Sequence, residues 1–181
     1  MRSALLLLFI LTPLTGLNAA EDEQGLDTYF NLLQSVDSPA IVRDTENRIW
    51  QIWLSHENED AEELMQVGIN RMNSGDYGAA MLVFDRLIDI FPEYMEAWNK
   101  RATLHYVLGN FDASVEDIEQ TLELEPRHFG ALSGLSLIHI QRDELTKARD
   151  VLEELLRIHP NSINARQNLE LVLERLATQI I

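Results

Sequence analysis

The stretch FPEYMEAWNKRA, residues 91–102, joins the end of one apolar run to the start of the next through a proline. Two similar junctions follow, EPRHFGAL at residues 125–132 and HPNSINAR at residues 159–166. The prolines therefore stand at positions 92, 126 and 160, each 34 residues after the one before. A fixed period of this length indicates an array of structural repeats, each of which is one supersecondary unit.

Each repeat unit has the pattern of a helical hairpin. Aligned on the prolines, the units cover residues 61–94, 95–128 and 129–162. In each, one amphipathic run of helical period leads through a tight turn to a second run that ends just before the proline. Glycine stands in the first two turns, at Gly75 and Gly109, and Asp143 takes the corresponding place in the third. Both residue types favour turns, so the sequence predicts three consecutive helical hairpins and an all-α fold.

The residues at fixed positions of the units resemble the tetratricopeptide repeat family. Its pattern has a large apolar residue at unit position 4, small residues at 8, 20 and 27, an aromatic residue at 24 and proline at 32. The matching residues are Leu64, Gly68, Ala80, Phe84 and Pro92; Trp98, Ala102, Ser114, Ile118 and Pro126; and Leu132, Ser136, Ala148, Leu152 and Pro160. The resemblance covers residues 61–161 and implies an α-α superhelix, that is, a solenoid of three stacked hairpins.

Two features of the pattern bear on packing. Small side chains at positions 8 and 20 allow the two helices of a hairpin to cross closely, and large residues at positions 4 and 24 fill the space around the crossing. Arg101 stands at position 7, which is normally apolar in the family. We expect it either to pair with an acidic residue of a neighbouring helix, such as Asp117, or to reach solvent along its aliphatic stem.

Residues 1–20 have the composition of a secretory signal peptide. One cation, Arg2, precedes an apolar core, and the small residues Ala19 and Ala20 precede the acidic Glu21. The apolar run is short for a membrane span of about 20 residues and contains Pro13, which makes a retained membrane anchor the lesser alternative. We therefore predict cleavage after Ala20, export to a bacterial periplasm with secretion as the alternative, and no membrane association of the cleaved protein.

The segments that flank the repeats are also predicted to be helical. Residues 21–60 form a helical pair, in which Ser38 and Pro39 mark a helix start; it is either a degenerate repeat or a separate element. Trp50 and Trp53 are predicted to be core residues that pack onto the first repeat, with a partner-binding tryptophan patch as the alternative. Residues 163–181 form a capping helix that hides the last repeat from water. Its predicted apolar stripe is Ile163, Leu169, Leu173 and Leu176.

Composition argues against most kinds of chemistry. The formal net charge of −16 opposes binding to nucleic acid, and the absence of cysteine excludes disulfides and thiolate metal sites. His105 and His139 hold equivalent positions in consecutive repeats, about 10 Å apart, which is too far for one zinc ion. The sequence contains no glycine-rich phosphate loop and no motif of a hydrolase or metalloprotease. We therefore expect no catalytic residue, no metal and no cofactor, and a protein that is not an enzyme.

The resemblance also implies where a partner binds. In this family, unit positions 2, 5, 9, 12 and 13 line a concave groove. The residues predicted to form the partner-binding groove are Met65, Ile69, Met72, Asn99, Thr103, Tyr106, Leu137 and Ile140. This strip is largely apolar, as contact surfaces for proteins often are. We predict a non-catalytic adaptor that binds a protein or peptide there. The alternative is a self-assembling structural subunit, a homo-oligomer, whose groove is covered by its own chain or by a second copy.

One known use of such a groove does not fit this sequence. Some members of the family grip the C-terminal carboxylate of heat-shock chaperones with basic and amide side chains at five fixed positions. Those positions carry Met65, Ile69, Lys100, Gly130 and Gly134 here. Since only Lys100 is of the required type, the sequence argues against that co-chaperone function.

Overall fold

The computed structural model describes residues 15–178, with side chains described from residue 25. These residues form helices and contain no strand, which confirms the predicted all-α fold class. The helices are α1 Thr15–Ser35, α2 Pro39–Leu54, α3 Glu59–Asn73, α4 Tyr77–Ile90, α5 Met95–Val107, α6 Phe111–Leu124, α7 Phe129–Gln141, α8 Leu145–Ile158 and α9 Ile163–Thr178. The predicted signal peptide lies outside the described residues except for residues 15–20, which belong to α1.

The repeats are antiparallel hairpins that stack in chain order. Helices α3 and α4 form the first hairpin, α5 and α6 the second, and α7 and α8 the third. Each second helix packs on the first helix of the next hairpin, and α9 packs on α8. The result is the three-repeat superhelix that the 34-residue period predicts.

Small residues bring the helices of each hairpin together, as predicted. A Cβ atom on Gly68 would lie 2.5 Å from Cε1 of Phe84, so only glycine fits at that crossing. Ala80 is fully buried beside it. In the second hairpin the Ser114 hydroxyl donates a hydrogen bond to the Ala102 carbonyl across the crossing, at 2.8 Å. The close approach therefore depends on small side chains in both hairpins.

The three intra-hairpin turns share one backbone conformation. Gly75 and Gly109 have φ values of +79° and +77°, and Asp143 has a φ of +58° at the corresponding place. This left-handed region is open to glycine and tolerated by aspartate. The prediction that Asp143 replaces a turn glycine is confirmed.

Arg101 links the first two hairpins. Its guanidinium donates to both carboxylate oxygens of Asp117 on α6, at 2.9 and 2.7 Å, and to Asp85 on α4 at 2.8 Å. The hydrogen bond to Asp117 is the main reason why the pKa of Arg101 is raised. The predicted pairing with Asp117 is confirmed, and the second contact shows that unit position 7 faces the preceding hairpin.

The capping helix α9 is present, but its buried side differs from the predicted stripe. Ala165 and Val172 are buried, whereas Ile163 and Leu173 are 66% and 47% exposed. Leu169 and Leu176 are partly buried against the same core. The helix is therefore rotated relative to the prediction, because the long apolar residues of this sequence do not all lie on the side that faces α8.

The N-terminal pair does not stack on the first hairpin as a further repeat would. Helix α2 packs against α5, and α1 packs against α8. The N-terminal pair lies along three loops, residues 91–94, 125–128 and 159–162, which join successive hairpins and lead into α9. We call these three loops the turn row. The prediction that Trp50 and Trp53 pack onto the first repeat is therefore wrong, and the degenerate-repeat alternative is not what the structure shows.

Within residues 15–178 no helix combines the length and the apolar character that crossing a membrane requires.

Candidate functional site

Helix α2 runs along the turn row in the direction opposite to the repeats. At its C-terminal end the Tyr94 hydroxyl donates to the Leu54 carbonyl at 2.6 Å. Nearer its N-terminus Glu46 lies 2.6 Å from Nε2 of His159. Just before α2, the Val36 carbonyl accepts a hydrogen bond of 2.5 Å from the Asn161 amide. In the second turn, the Arg127 guanidinium donates to the Asp27 carboxylate of α1 at 2.6 Å, so each of the three turns is tied to the N-terminal pair by a side chain of its own.

Trp53, in the last turn of α2, packs on the second turn of the row. It is 1% exposed, and its ring stacks on His128 with centroids 4.1 Å apart and an interplanar angle of 16°. Phe129 lies 4.9 Å away at a tilt. Trp50 meets the ring of Phe129 edge to face at 5.4 Å. Trp53 is a core residue, as predicted, and Trp50 is partly buried against the same core. The surface on which both pack lies between the second and third repeats.

A buried carboxylate lies under this aromatic cluster. Glu96 and His128 are both 0% exposed, and Nε2 of His128 is 2.9 Å from Oε1 of Glu96. The other ring nitrogen, Nδ1, accepts a hydrogen bond from the backbone N–H of Ala131 and so caps α7. Because Nδ1 is an acceptor, Nε2 carries the proton and donates it to Glu96.

Glu96 receives further donors from its own helix. The Asn99 amide lies 3.1 Å from Oε2, and the Lys100 ammonium lies 3.1 Å from the same oxygen. Burial by itself raises the pKa of Glu96, but the hydrogen bond from His128, the charge of Lys100 and the hydrogen bond from Asn99 outweigh it and lower the pKa. The carboxylate is therefore ionised and bound on both oxygens, which makes it a structural group.

Lys100 is the one predicted clamp position with a basic side chain, and it is already engaged. Besides its ion pair with Glu96, its ammonium lies 5.0 Å from the centre of the Trp50 ring. A cation held by a buried carboxylate and an aromatic face is poorly placed to grip another carboxylate. The geometry thus agrees with the sequence argument against a carboxylate clamp.

The concave face contains an open pocket between α5 and α7. Its volume is about 390 Å³. The residues that line it are Asn99, Ala102, Thr103, Tyr106, Val107, Ser114, Ile118, Gly130, Ala131, Ser133, Gly134 and Leu137. The structure therefore brings together four of the residues predicted for the groove, namely Asn99, Thr103, Tyr106 and Leu137. We call this space the concave pocket.

The other four predicted groove residues lie elsewhere. Met65 is fully buried in the core of the first hairpin, so its prediction as a groove residue is wrong. Ile69 and Met72 are partly buried against that same core. Ile140 is partly buried against the core that includes α8. None of the four lines the concave pocket, which is confined to the second and third repeats.

Small residues on α7 create the pocket. A Cβ atom on Gly134 would lie 3.5 Å from Cδ1 of Ile118, which is ordinary contact, so a methyl group would fit there. A Cβ atom on Gly130, by contrast, would lie 2.6 Å from the Trp50 ring. Trp50 of α2 therefore covers Gly130, which is one of the residues that line the pocket. The small residues Gly130, Ser133 and Gly134 are the sequence signal for this gap, but nothing in the sequence indicates that Trp50 covers Gly130.

Among the described residues, no group of three or more histidine, aspartate or glutamate side chains is placed to hold a metal ion. The histidines have other contacts. His105 lies 3.9 Å from Asp117, and Nδ1 of His139 lies 2.6 Å from Glu144. The expectation that the protein has no metal or cofactor stays a prediction.

Comparison with known proteins agrees with the fold. The model of the family described as tetratricopeptide repeat matches residues 68–114 and 99–163. A TPR repeat-containing protein of Rhizobium etli is 34% identical over 161 residues, which are 88% of this chain and 78% of that protein.

Two solved structures superpose on the repeats. One is the first TPR of Spaghetti (RPAP3) bound to an HSP90 peptide, with a TM-score of 0.62 and 22% sequence identity. The match covers 65% of this chain and 93% of the RPAP3 chain. The type III secretion chaperone SycD of Yersinia enterocolitica, in complex with a peptide of the translocator YopD, has a TM-score of 0.62 and 16% identity, covering 66% and 96%. At these identities the likeness concerns the fold.

Proposed function

The chain belongs to the tetratricopeptide repeat family, and we propose that it is a non-catalytic adaptor that binds a segment of another protein in the concave pocket. The observation that supports this most is the pocket itself, an open space of about 390 Å³ between α5 and α7. Clefts that bind small ligands commonly have volumes of about 300–1,000 Å³, so this pocket is large enough to hold a side chain of a partner. The two superposed structures each bind a peptide, which supports a peptide or protein segment as the ligand.

The lining of the pocket suggests what kind of segment fits. Ala102, Ile118 and Leu137 offer apolar contact, and Asn99 and Thr103 add polar groups. An apolar side chain of a peptide would lose its contact with water there and gain about 1.5–3 kcal/mol. The net charge of −16 favours partners that carry positive charges beside that apolar anchor and makes their association salt-dependent.

A photo-crosslinking residue in place of Thr103, which is exposed at the pocket, tests the proposal. The matched control replaces Leu124, an exposed residue of α6 outside the pocket. We expect the label at position 103 to capture one protein segment, and a synthetic peptide of that segment to bind the purified protein saturably. The double variant Tyr106→Ala with Leu137→Asp should abolish binding while the helical circular dichroism stays unchanged. Equal capture at both positions, or binding that survives the double variant, would contradict the proposal.

The alternative, a self-assembling subunit whose groove is covered by its own chain, has one observation in its favour. Trp50 of α2 already occupies the space in front of Gly130. If the full chain also filled the rest of the pocket, a probe placed at Leu137 would be protected from solvent in the monomer. Rapid reaction of a cysteine at this position with a soluble thiol reagent favours the adaptor, and slow reaction favours the alternative.

We also propose that the adaptor works outside the cytoplasm, in a bacterial periplasm. The support is the composition of residues 1–20, with Arg2, an apolar core and Ala19–Ala20 before an acidic residue. Mass spectrometry of the protein from cells expressing the full chain tests this. We expect a mature N-terminus at Glu21, and an intact N-terminus in the cytoplasmic fraction would contradict the proposal.

A further inference from the structure

The end of the first hairpin differs from the corresponding side of the other two. In the second hairpin, Trp98 at unit position 4 donates to the Pro92 carbonyl at 2.8 Å, and Arg101 at position 7 donates to Asp85. Those two positions therefore face the preceding hairpin. In the first hairpin they are Leu64 and Val67, and the N-terminal pair, which could have stacked there, lies along the turn row instead. We call this surface of α3 and α4 the open end.

The open end exposes more apolar side chains than the equivalent surfaces of the second and third hairpins. Val67, Ile90 and Leu82 are 39%, 41% and 72% exposed. Leu82, Arg86 and Ile90 lie four residues apart and form one stripe on α4. The residues equivalent to Leu82 in the second and third hairpins are Glu116 and Asp150. Of the three hairpins, only the first has an exposed leucine in place of the charged residue, and within residues 15–178 no hairpin stacks before it.

The charges of the open end have opposite signs on its two walls and no ion-pair partner among residues 25–178. A cleft of about 600 Å³ lies between α3 and α4 and is lined by Asn58, Asp60, Glu63, Leu64, Val67, Arg86, Ile90 and Phe91. On the α4 wall, Arg86 forms no ion pair within residues 25–178. On the α3 wall, neither Asp60 nor Glu63 has a cation partner among the same residues. An unpaired arginine stands out in a chain with 30 acidic and 14 basic residues.

This arrangement is complementary to itself. If two copies meet at their open ends about a twofold axis, the α4 wall of one faces the α3 wall of the other. Arg86 of each copy then meets Asp60 and Glu63 of its partner, while Val67, Leu82 and Ile90 of both leave water. At the opposite end of the solenoid, α9 already provides the cap that repeat arrays require. We propose that the open end is a self-association surface that docks a second copy of this chain.

The proposed surface is separate from the concave pocket, so it goes beyond the adaptor function. A dimer joined at the open ends would present two concave pockets to one ligand or to two. A partner with two anchoring segments would then bind more tightly, because binding of the first segment raises the effective concentration of the second at the other pocket.

Analytical ultracentrifugation of the full chain over a range of concentrations tests the proposal. We expect a reversible dimer that Leu82→Asp weakens by about tenfold or more. Leu173→Asp, at an exposed leucine of α9, is the matched control and should leave the dimer unchanged. Because both side chains are exposed, both variants should keep their helical circular dichroism. A wild-type chain that stays monomeric at every concentration, or an equal effect of the two variants, would overturn the proposal.

Charge reversal gives a sharper form of the test. Arg86→Glu alone and Glu63→Arg alone each place like charges opposite one another in the dimer, so each should weaken it. An equimolar mixture of the two variants should restore dimers, because both contacts then pair arginine with glutamate. Failure of the mixture to form dimers would contradict the twofold arrangement. Loss of the dimer in Leu137→Asp would instead place the second copy in the concave pocket and would also overturn the proposal.

Discussion

The turn row and the concave pocket are two neighbouring surfaces of the repeats that differ in whether the N-terminal pair covers them. Along the turn row, Tyr94, His128, His159 and Asn161 each meet a group of the N-terminal pair. In the pocket, a Cβ atom on Gly134 would meet only Cδ1 of Ile118, at 3.5 Å, and no residue of the N-terminal pair is among the lining residues. Helix α2 therefore stabilises the stack of hairpins by packing along the turn row, and it leaves the concave surface between α5 and α7 accessible.

The largest expected effect comes from removing the contact at the centre of the turn row. Trp53→Ala deletes a fully buried ring that stacks on His128, and we expect it to lower the free energy of unfolding by about 3–5 kcal/mol. Urea denaturation followed by circular dichroism measures the change. The exposed Leu82→Ala is the control and should change stability by less than about 0.5 kcal/mol. A loss below about 1 kcal/mol for Trp53→Ala would mean that α2 contributes little to the stack.

The buried carboxylate beneath α2 should give a smaller effect that depends on pH. Glu96→Gln removes a charge that accepts bonds from His128, Asn99 and Lys100, and we expect a loss of about 2 kcal/mol at neutral pH. The pKa of Glu96 is lowered in the folded protein. Its contribution is therefore fully present above the ordinary glutamate value of about 4.3 and is lost as the pH falls through the folded pKa.

Denaturation curves of the wild-type protein and of Glu96→Gln from neutral pH to about pH 3 test that sign. The difference in unfolding free energy should be constant above about pH 5 and should shrink on further acidification. A difference that grows as the pH falls would show that the carboxylate is protonated in the native state, contrary to this account.

Two glycines of α7 give the most direct comparison between the covered and the open surface. Gly130→Ala places a methyl group 2.6 Å from the Trp50 ring and should destabilise the protein by about 1–3 kcal/mol. Gly134→Ala meets only Cδ1 of Ile118, at 3.5 Å, and should stabilise it by up to about 1 kcal/mol through helix propensity. Thermal unfolding of both variants measures the difference. Equal shifts would contradict the placement of α2 over one glycine and not the other.

Much of the fold could be predicted from local sequence. The 34-residue spacing of the prolines, the turn residues Gly75, Gly109 and Asp143, and the small residues at helix crossings each describe a contact within one hairpin or between neighbours. The pairing of Arg101 with Asp117 belongs to the same class, since the two residues are 16 positions apart. Patterns of this kind are readable because the physical cause and the residues that show it lie close together in the chain.

The placement of α2 could not be predicted in the same way. An amphipathic helix shows that one of its faces is buried, but not which surface covers that face. Trp53 meets His128, which is 75 residues later in the chain. The same limit explains the wrong prediction for Met65. Its position in the repeat usually faces the groove, but in this chain Leu54 and Tyr94 join the apolar cluster that contains it.

The candidate site was predicted in part for a related reason. Four predicted residues of α5 and α7, Asn99, Thr103, Tyr106 and Leu137, line the pocket, because equivalent positions of stacked hairpins lie side by side, whereas Ile140 of α7 does not. That they bind a partner stays a prediction. Position alone does not give the space between them, which depends on the small residues Gly130 and Gly134 of α7.

The central claim is that α2 lies along the turn row, and nuclear Overhauser contacts of the Trp53 indole test it most directly. The structure places the Trp53 ring 4.1 Å from the centre of the His128 ring and 4.9 Å from that of Phe129. We therefore predict strong contacts from the indole protons to both of these rings in the isotopically labelled protein. Contacts from the indole to Leu64 and Val67 instead would place the N-terminal pair on the first hairpin. That result would contradict the support of the turn row and would also remove the open end.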